Sequence, residues 1–298
     1  VSQEITSILQ GVFQSARGET PARVPPGVER LSISSIDGFW KCAEKWRREK
    51  LQKERGPTYG NQLFGSAFHK AVETNFRHKI EAHEDLPIPF MRDIAGEAFN
   101  LKRDEELGKT EIIWDEKPND VQQGVIKAVV GTDSFPGYQQ VLAPIVQPVA
   151  VERWVEVPTK VGVPLVAKID VETNQDVTID LKSGKKAKSQ ADLDKSAQAT
   201  AYLWLRREEL KPAREFRWHT AISYKTKPSM HQELATTRTD GQLRAFDLLL
   251  QQTAQAMSFY YETFGPEGPW PGAPEAGWWC SPGMCGFYAS CPWRGGAV

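Results

Sequence analysis

The chain has 298 residues, 40% hydrophobic and 25% charged, which is ordinary for a globular protein and enough for one large core or two small ones. The 37 Lys and Arg against 38 Asp and Glu leave a net charge of −1. Attraction to nucleic acid through global charge is therefore excluded, and any such site must be a local patch. No apolar run approaches the roughly 20 residues that a spanning helix needs, and no complete Gly-x-x-x-x-Gly-Lys-Ser/Thr phosphate loop is present, which argues against a helical membrane protein and an intrinsic ATP motor.

In chain order, residues 1–30 end in the Pro-rich TPARVPPG and are expected to be a peripheral segment, frayed or packed as a short helix. LSISSIDGFWKCAEKWR then places serines ahead of a helix that carries Cys42, opening an amino-terminal helical part over 31–84. Within it, residues 62–83 read as a helix, because Phe64, Phe68, Val72 and Phe76 recur at intervals of four and form one apolar stripe. His69 lies beside that stripe, where a histidine either packs, caps or faces a cleft. HEDLPIPF reads as a loop. Residues 91–108 and 120–147 carry helical patterns broken by Gly and Pro, so 85–148 is expected to be a helical subregion preceding a sheet.

The sheet core is expected over 149–264. VERWVEVPTKVGVPLVAKIDVE opens it with strand alternation, and Glu152 reads more readily as an exposed strand glutamate than as a site acid. VPLVAKIDVE and DVTIDLKSG form two strands joined by the polar ETNQD, an antiparallel hairpin that returns Asp180 to the neighbourhood of Asp170. Strand alternation points Asp180 and Lys182 the same way and Leu181 into the core, leaving the Leu181 carbonyl free as a further oxygen ligand. Residues 195–210 form a helix on which Gln198 and Tyr202 share a face. EFRWHTAISYKT is a following strand, 240–264 a long helix, and 265–298 a Gly-, Pro- and Trp-rich tail.

Two carboxylates and a lysine are what metal-assisted phosphodiester hydrolysis needs. Asp170 and Asp180 offer hard oxygen ligands, which suit Mg2+ or Mn2+ better than zinc. Lys182 can orient water or offset charge in the transition state. The bland reading is a solvated hairpin with a polar face. Lys185, Lys186 and Lys188 follow in a basic loop, either a solvated surface loop or a patch for strand phosphates.

Four cysteines are present: Cys42 far upstream, then Cys280, Cys285 and Cys291 in the tail. This layout suggests a four-thiolate metal centre pinning the chain's ends, either iron–sulfur or zinc, with disulfides or unrelated thiols as the remaining readings. Zinc is disfavoured because no tight Cys-x-x-Cys pair occurs. Disulfides are disfavoured because no signal-peptide core is seen. Trp40, Trp46, Trp278, Trp279 and Trp293 lie near the cysteines, where they are expected to shield a cluster in preference to stacking on bases.

Taken in order, Gly65 to His69, Asp170, Asp180 to Lys182, and Gln198 to Tyr202 resemble the motifs of the PD-(D/E)XK nuclease superfamily, in particular its RecB-like and AddB-like iron–sulfur branch, to which CRISPR-adaptation nucleases are related. The resemblance runs from about Leu31 to Cys291. It implies an α/β, restriction-endonuclease-like core: a central mixed sheet flanked by helices, with a helical insertion and an iron–sulfur region. It implies Mg2+ or Mn2+ held by Asp170, Asp180, the Leu181 carbonyl and His69, with Lys182, Gln198 and Tyr202 assisting catalysis. It also implies a [4Fe–4S] cluster on Cys42, Cys280, Cys285 and Cys291, although the interval between Cys280 and Cys285 is longer than is usual in that branch.

The activity implied is that of a metal-dependent DNA exonuclease acting on single-stranded or duplex ends, single strands preferred, in recombination, repair or phage DNA metabolism. Its place would be the cytoplasm of a prokaryotic or phage-infected cell, with recombination or CRISPR proteins as partners. The alternatives are a nuclease that trims DNA for CRISPR adaptation beside an integrase, and a catalytically idle iron–sulfur DNA-binding scaffold. No oligomer interface is legible.

Overall fold

A computed structural model describes residues 23–223, 230–273, 277 and 279–294. Most of the amino-terminal segment, the end of EFRWHTAISYKT and Trp278 lie outside the described residues. The first described element is a two-residue strand, β1 (Leu31–Ser32). Ser32 caps α1 (Ile33–Lys41), its hydroxyl accepting from Ser35 N at 3.2 Å. Cys42 then breaks the helix in an extended conformation and caps α2 (Ala43–Lys50), its sulfur accepting from Lys45 N at 3.5 Å. The corner between the helices is closed by Trp46, whose indole N–H donates to Ser35 Oγ at 2.8 Å.

β2 (Thr58–Tyr59) leads into α3 (Gly60–Ala82), which occupies the segment whose phenylalanines recur at intervals of four. α4 (Ile88–Leu107) begins inside the segment expected to be a loop. The prolines there suggest a loop, yet Pro87 immediately precedes the helix and Pro89 lies in its first turn. There a missing N–H costs no hydrogen bond and the fixed φ is already helical. α5 (Pro118–Val130) starts in the same way, and α6 (Tyr138–Val141) follows. β3 (Ile112–Ile113) pairs in parallel with β2, a two-stranded sheet too short to leave a periodic signal.

The main sheet contains β1, β4 (Pro148–Val157), β5 (Leu165–Thr173), β6 (Val177–Gly184), β7 (Glu215–Ile222) and β8 (Met230–Thr236). Its order is β1-β5-β6-β7-β8, with β4 also paired to β5. The β4–β5 and β5–β6 pairs are antiparallel, β6 and β7 are parallel, and β8, antiparallel to β7, is a strand that the sequence reading missed. α7 (Gln190–Asp194) and α8 (Ala197–Glu208) form the β6–β7 crossover, and α9 (Asp240–Phe264) follows the sheet. The protein is thus α/β with a mixed sheet flanked by helices.

Two cores hold these layers. One joins α3, α4 and α5 to the sheet through Phe68, Phe76, Phe99, Val171, Ile179 and Leu181. The other joins α1, α2, α8 and α9 through Phe39, Trp46, Ile169, Leu203, Phe216 and Phe246. β5 passes from one core to the other at Asp170, since Ile169 packs in the second and Val171 in the first. β4 makes the same change between Val155 and Val151. Residues four apart on a regular strand share a face. Glu152, between them, adopts φ 54, which breaks that regularity.

Candidate active site

The site forms where the sheet opens. β5 and β6 share only two pairs, Val171↔Ile179 and Glu172↔Thr178. Beyond these, β5 pairs with β1 at Leu165 and Val166. The Asp170 carboxylate takes the place of a ladder bond, with Oδ2 accepting from Leu181 N at 2.7 Å. Leu181 is 2% exposed, and its backbone lies close enough to the His69 ring to act on that ring's ionisation. α3 reaches the strand because Gly65 carries no side chain: a Cβ there would lie 3.1 Å from Ser183 Oγ. One turn further on, His69 Nδ1 comes to 3.5 Å from Asp170 Oδ2. Beneath α3, Tyr138 packs on Phe68 and Phe76 and shares a hydrogen bond of 2.9 Å with His219 Nδ1, fixing the helix against β7.

His69, Glu152 and Asp170 offer ligand atoms that all lie within 4.8 Å of one another. A nitrogen and two carboxylate oxygens at that spacing fit one divalent cation, and the Leu181 carbonyl stands beside them. Burial pushes the His69 pKa down, against the charges of Asp180 and Glu152, which keeps the imidazole neutral and ligand-competent at neutral pH. Burial also pushes Asp170 well above the usual carboxylate range, the Asp180 charge adds to the rise, and the Leu181 N–H opposes it. A cation would bring the Asp170 pKa back down and would further favour the neutral His69 ring.

Asp180 is buried at 4% exposure but stands outside that compact trio. Its Oδ2 pairs with Lys182 Nζ at 2.7 Å, and its Oδ1 accepts from Gln198 Nε2 at 2.8 Å. Tyr202 lies one turn further along α8, and its hydroxyl donates to the Lys168 carbonyl at 3.0 Å. Gln198 and Tyr202 therefore contact Asp180 and β5, and neither contact is to Lys182. Tyr202 is held protonated by burial and by the Asp180 and Asp170 charges. Ser196 caps α8 by accepting from Ala199 N at 3.2 Å, which sets the helix start two residues before Gln198.

Glu152 is the residue that the sequence reading placed on an exposed strand. The signal that would have found it is the hairpin itself. β4 and β5 pair Val151 with Val171 and Arg153 with Ile169, so Glu152 stands opposite Asp170. Its left-handed backbone is an uncommon conformation for a side chain with a Cβ, and its carboxylate pairs with Lys168. Of the basic loop, Lys185 pairs with Glu116 at 2.7 Å, while Lys186 and Lys188 are exposed.

The four cysteines lie in one neighbourhood. Burial pushes the Cys42 thiol up, and the charges of Cys291, Cys285 and Cys280 add to the rise against the Lys45 N–H. Among the described residues, no three of these sulfurs lie within 4.8 Å of one another. Thiolates about 2.3 Å from one zinc would stand closer than that. The tail is tied to α2: Glu44 Oε2 accepts from Trp270 N at 2.9 Å, and the Arg48 guanidinium sits 5.2 Å over the Phe287 ring while donating to Ser290 Oγ at 2.8 Å. Trp46 is buried, and Trp40 donates to Thr253 Oγ1 at 2.9 Å.

Residues 30–292 match the family model of the PD-(D/E)XK nuclease superfamily. The chain belongs to this superfamily. Its solved structural relatives include a putative exonuclease from Eubacterium rectale, 11% identical, with a TM-score of 0.48 over 78% of this chain and 79% of that one. They also include SSO0001, 13% identical, with a TM-score of 0.32 over 83% of this chain and 94% of that one. Among curated proteins, none matches the sequence. Asp170 lies on β5, and Asp180 and Lys182 lie on β6, the adjacent strand of the sheet. Among the described residues, no helix is long and apolar enough to cross a membrane.

Proposed function

We propose that this nuclease is a divalent-metal-dependent DNA exonuclease, acting on strand ends and preferring single strands. The observation that carries the reading is the convergence of His69, Glu152 and Asp170 beside the Asp180–Lys182 pair at the break in the β5–β6 ladder. In this reading His69, Asp170, Asp180, the Leu181 carbonyl and Glu152 hold Mg2+ or Mn2+. When bound, the cation offsets charge on the scissile phosphate and acidifies a bound water. The neutral His69 ring contributes a ligand without adding positive charge. Lys182 orients the attacking water or offsets developing charge on the phosphate. Gln198 fixes the Asp180 carboxylate, and Tyr202 holds the Lys168 backbone, so both act as positioning residues.

Lys185, Lys186 and Lys188 would track the phosphates of the strand. The domain plan that accompanies this reading is a helical part over 31–84, a helical subregion over 85–148, the nuclease core over 149–264 and a cysteine region over 265–298. In the last, Cys280, Cys285 and Cys291 would join Cys42 on a [4Fe–4S] cluster whose role is to pin the tail to α2. The reading rests on the electrostatic influence of Cys291, Cys285 and Cys280 on the Cys42 thiol. Recombination, repair or phage DNA metabolism is the setting that suits such an enzyme, with recombination or CRISPR proteins as partners.

The test is cleavage of end-labelled linear and circular DNA, single- and double-stranded, with Mn2+, Mg2+ or EDTA, beside Lys182→Ala. Metal-dependent loss of linear DNA alone, absent in the variant, is expected. Cleavage of circles would make the enzyme an endonuclease, and no cleavage by folded protein would leave a DNA-binding scaffold.

A further inference from the structure

We propose that Trp154, with Arg30 and Lys168 beside it, is a platform on which an unpaired nucleobase of the DNA stacks while the adjoining phosphate lies at the carboxylates. The inference rests on the nuclease reading above and adds the form of the substrate: a strand whose base is unpaired at the site.

Trp154 is a large aromatic side chain on β4 that remains 50% exposed. A single exposed aromatic is ordinary on a protein surface; what distinguishes Trp154 is its place beside an ionic site. It pairs across the ladder with Lys168 on β5, which puts the two side chains about 5 Å apart at their Cβ atoms. Lys168 is 56% exposed, and its ammonium reaches the Glu152 carboxylate, itself within 4.8 Å of the His69 and Asp170 ligand atoms. Asp170 follows Lys168 by two residues, roughly 7 Å along the strand. The indole thus stands within a single nucleotide's reach of the proposed metal site.

The chemistry around the ring suits a nucleotide. The Arg30 guanidinium lies 5.5 Å from the Trp154 ring centroid, and Arg30 is exposed. An indole with a guanidinium at its face offers π-stacking and a cation for phosphate in one place, and every base has a π-face to use it. A base inside a duplex is already stacked on its neighbours and is not free to use such a platform. Trp40, also exposed, lacks this setting, since it is bonded to Thr253 on α9. The rival explanation is a structural clamp, in which the Arg30–Trp154 stack merely fastens the chain ahead of β1 to β4.

Fluorescence anisotropy of a labelled oligothymidylate in EDTA, where no cleavage occurs, separates the two. The probes are the intact strand and strands carrying one abasic residue at successive positions from the end. Trp154→Ala is expected to bind the intact strand roughly tenfold or more weakly, and Trp154→Phe is expected to recover most of that loss. At one position the abasic residue should weaken the wild type by the same factor and Trp154→Ala not at all. Wild-type affinity in Trp154→Ala overturns the platform, and so does an equal loss on intact and abasic strands at every position. Wild-type protein that neither binds these strands nor cleaves DNA with Mn2+ removes the nuclease reading as well. Normal wild-type cleavage with no coupling between Trp154 and a base removes the platform alone.

Discussion

β6 has two unlike sides. Toward β7 its ladder runs through eight residue pairs, from Val177↔Glu215 to Gly184↔Ile222. Toward β5 it stops after two. Where the ladder is complete, backbone groups satisfy one another and side chains such as Phe216 and Ala221 have only to pack. Where it stops, the Leu181 N–H needs another partner, and it finds one in the Asp170 carboxylate. The break that would be a defect in a structural sheet gathers the carboxylates into one place, at the expense of pushing Asp170 out of its usual ionisation range.

The comparison breaks hardest at Asp180. Asp180→Asn keeps the β6–β7 ladder and the Gln198 contact but removes the charge, and DNA cleavage is expected to fall roughly a thousandfold or more in kcat/KM, read from initial rates with Mn2+. An unchanged rate would place the chemistry elsewhere.

Next in size is the support behind the break. Glu172, 5% exposed, accepts from Arg153 and pairs with Arg206, and Arg153 also reaches Glu209, so β4, β5 and α8 are held by one ionic network. Glu172→Ala leaves two guanidinium groups short of a partner, and denaturant unfolding should show a loss of about 3 kcal/mol. A loss under 0.5 kcal/mol would mean that the network is solvated.

Asp170 gives a smaller effect of opposite sign. Its pKa is raised in the folded protein, so the metal-free fold is favoured below that pKa and loses stability as pH rises through it. Asp170→Asn should therefore make the metal-free protein more stable than wild type by about 1 kcal/mol at neutral pH, while abolishing the rise in Tm that Mn2+ gives. In wild type, cation binding must displace the Asp170 proton, so Mn2+ affinity measured by calorimetry should climb with pH and level off once Asp170 is ionised. A pH-independent affinity would contradict the burial of Asp170.

The smallest effect sharpens the geometry of β4. Glycine normally weakens a strand relative to alanine. At φ 54 the order should invert, with Glu152→Gly about 1 kcal/mol more stable than Glu152→Ala by thermal unfolding, and both binding Mn2+ more weakly than wild type. The usual order would mean that β4 relaxes to a regular strand.

The legible parts of this protein were those with strong local signals. The four-residue interval of Phe64 to Phe76 announced α3, and the alternation around Asp170, Asp180 and Lys182 announced the hairpin. Four features were not legible for reasons of physics. Pro87 and Pro89 mark a helix start as well as a loop, and β8 lies beyond a segment whose sequence gives no clear turn. Glu152 enters the site only because a two-strand register and one unusual φ bring it there, and neither is written in its immediate neighbours. The lysine–carboxylate pairing was expected from the shared face of Asp180 and Lys182. The break in the β5–β6 ladder, a long-range property, was not.

The most direct test of the central claim is anomalous diffraction from crystals soaked in Mn2+. The account predicts a peak bounded by His69, Glu152, Asp170 and the Leu181 carbonyl, with Asp180 beside it, that is lost in Asp170→Asn. A strong peak elsewhere, with none at the break between β5 and β6, would contradict it.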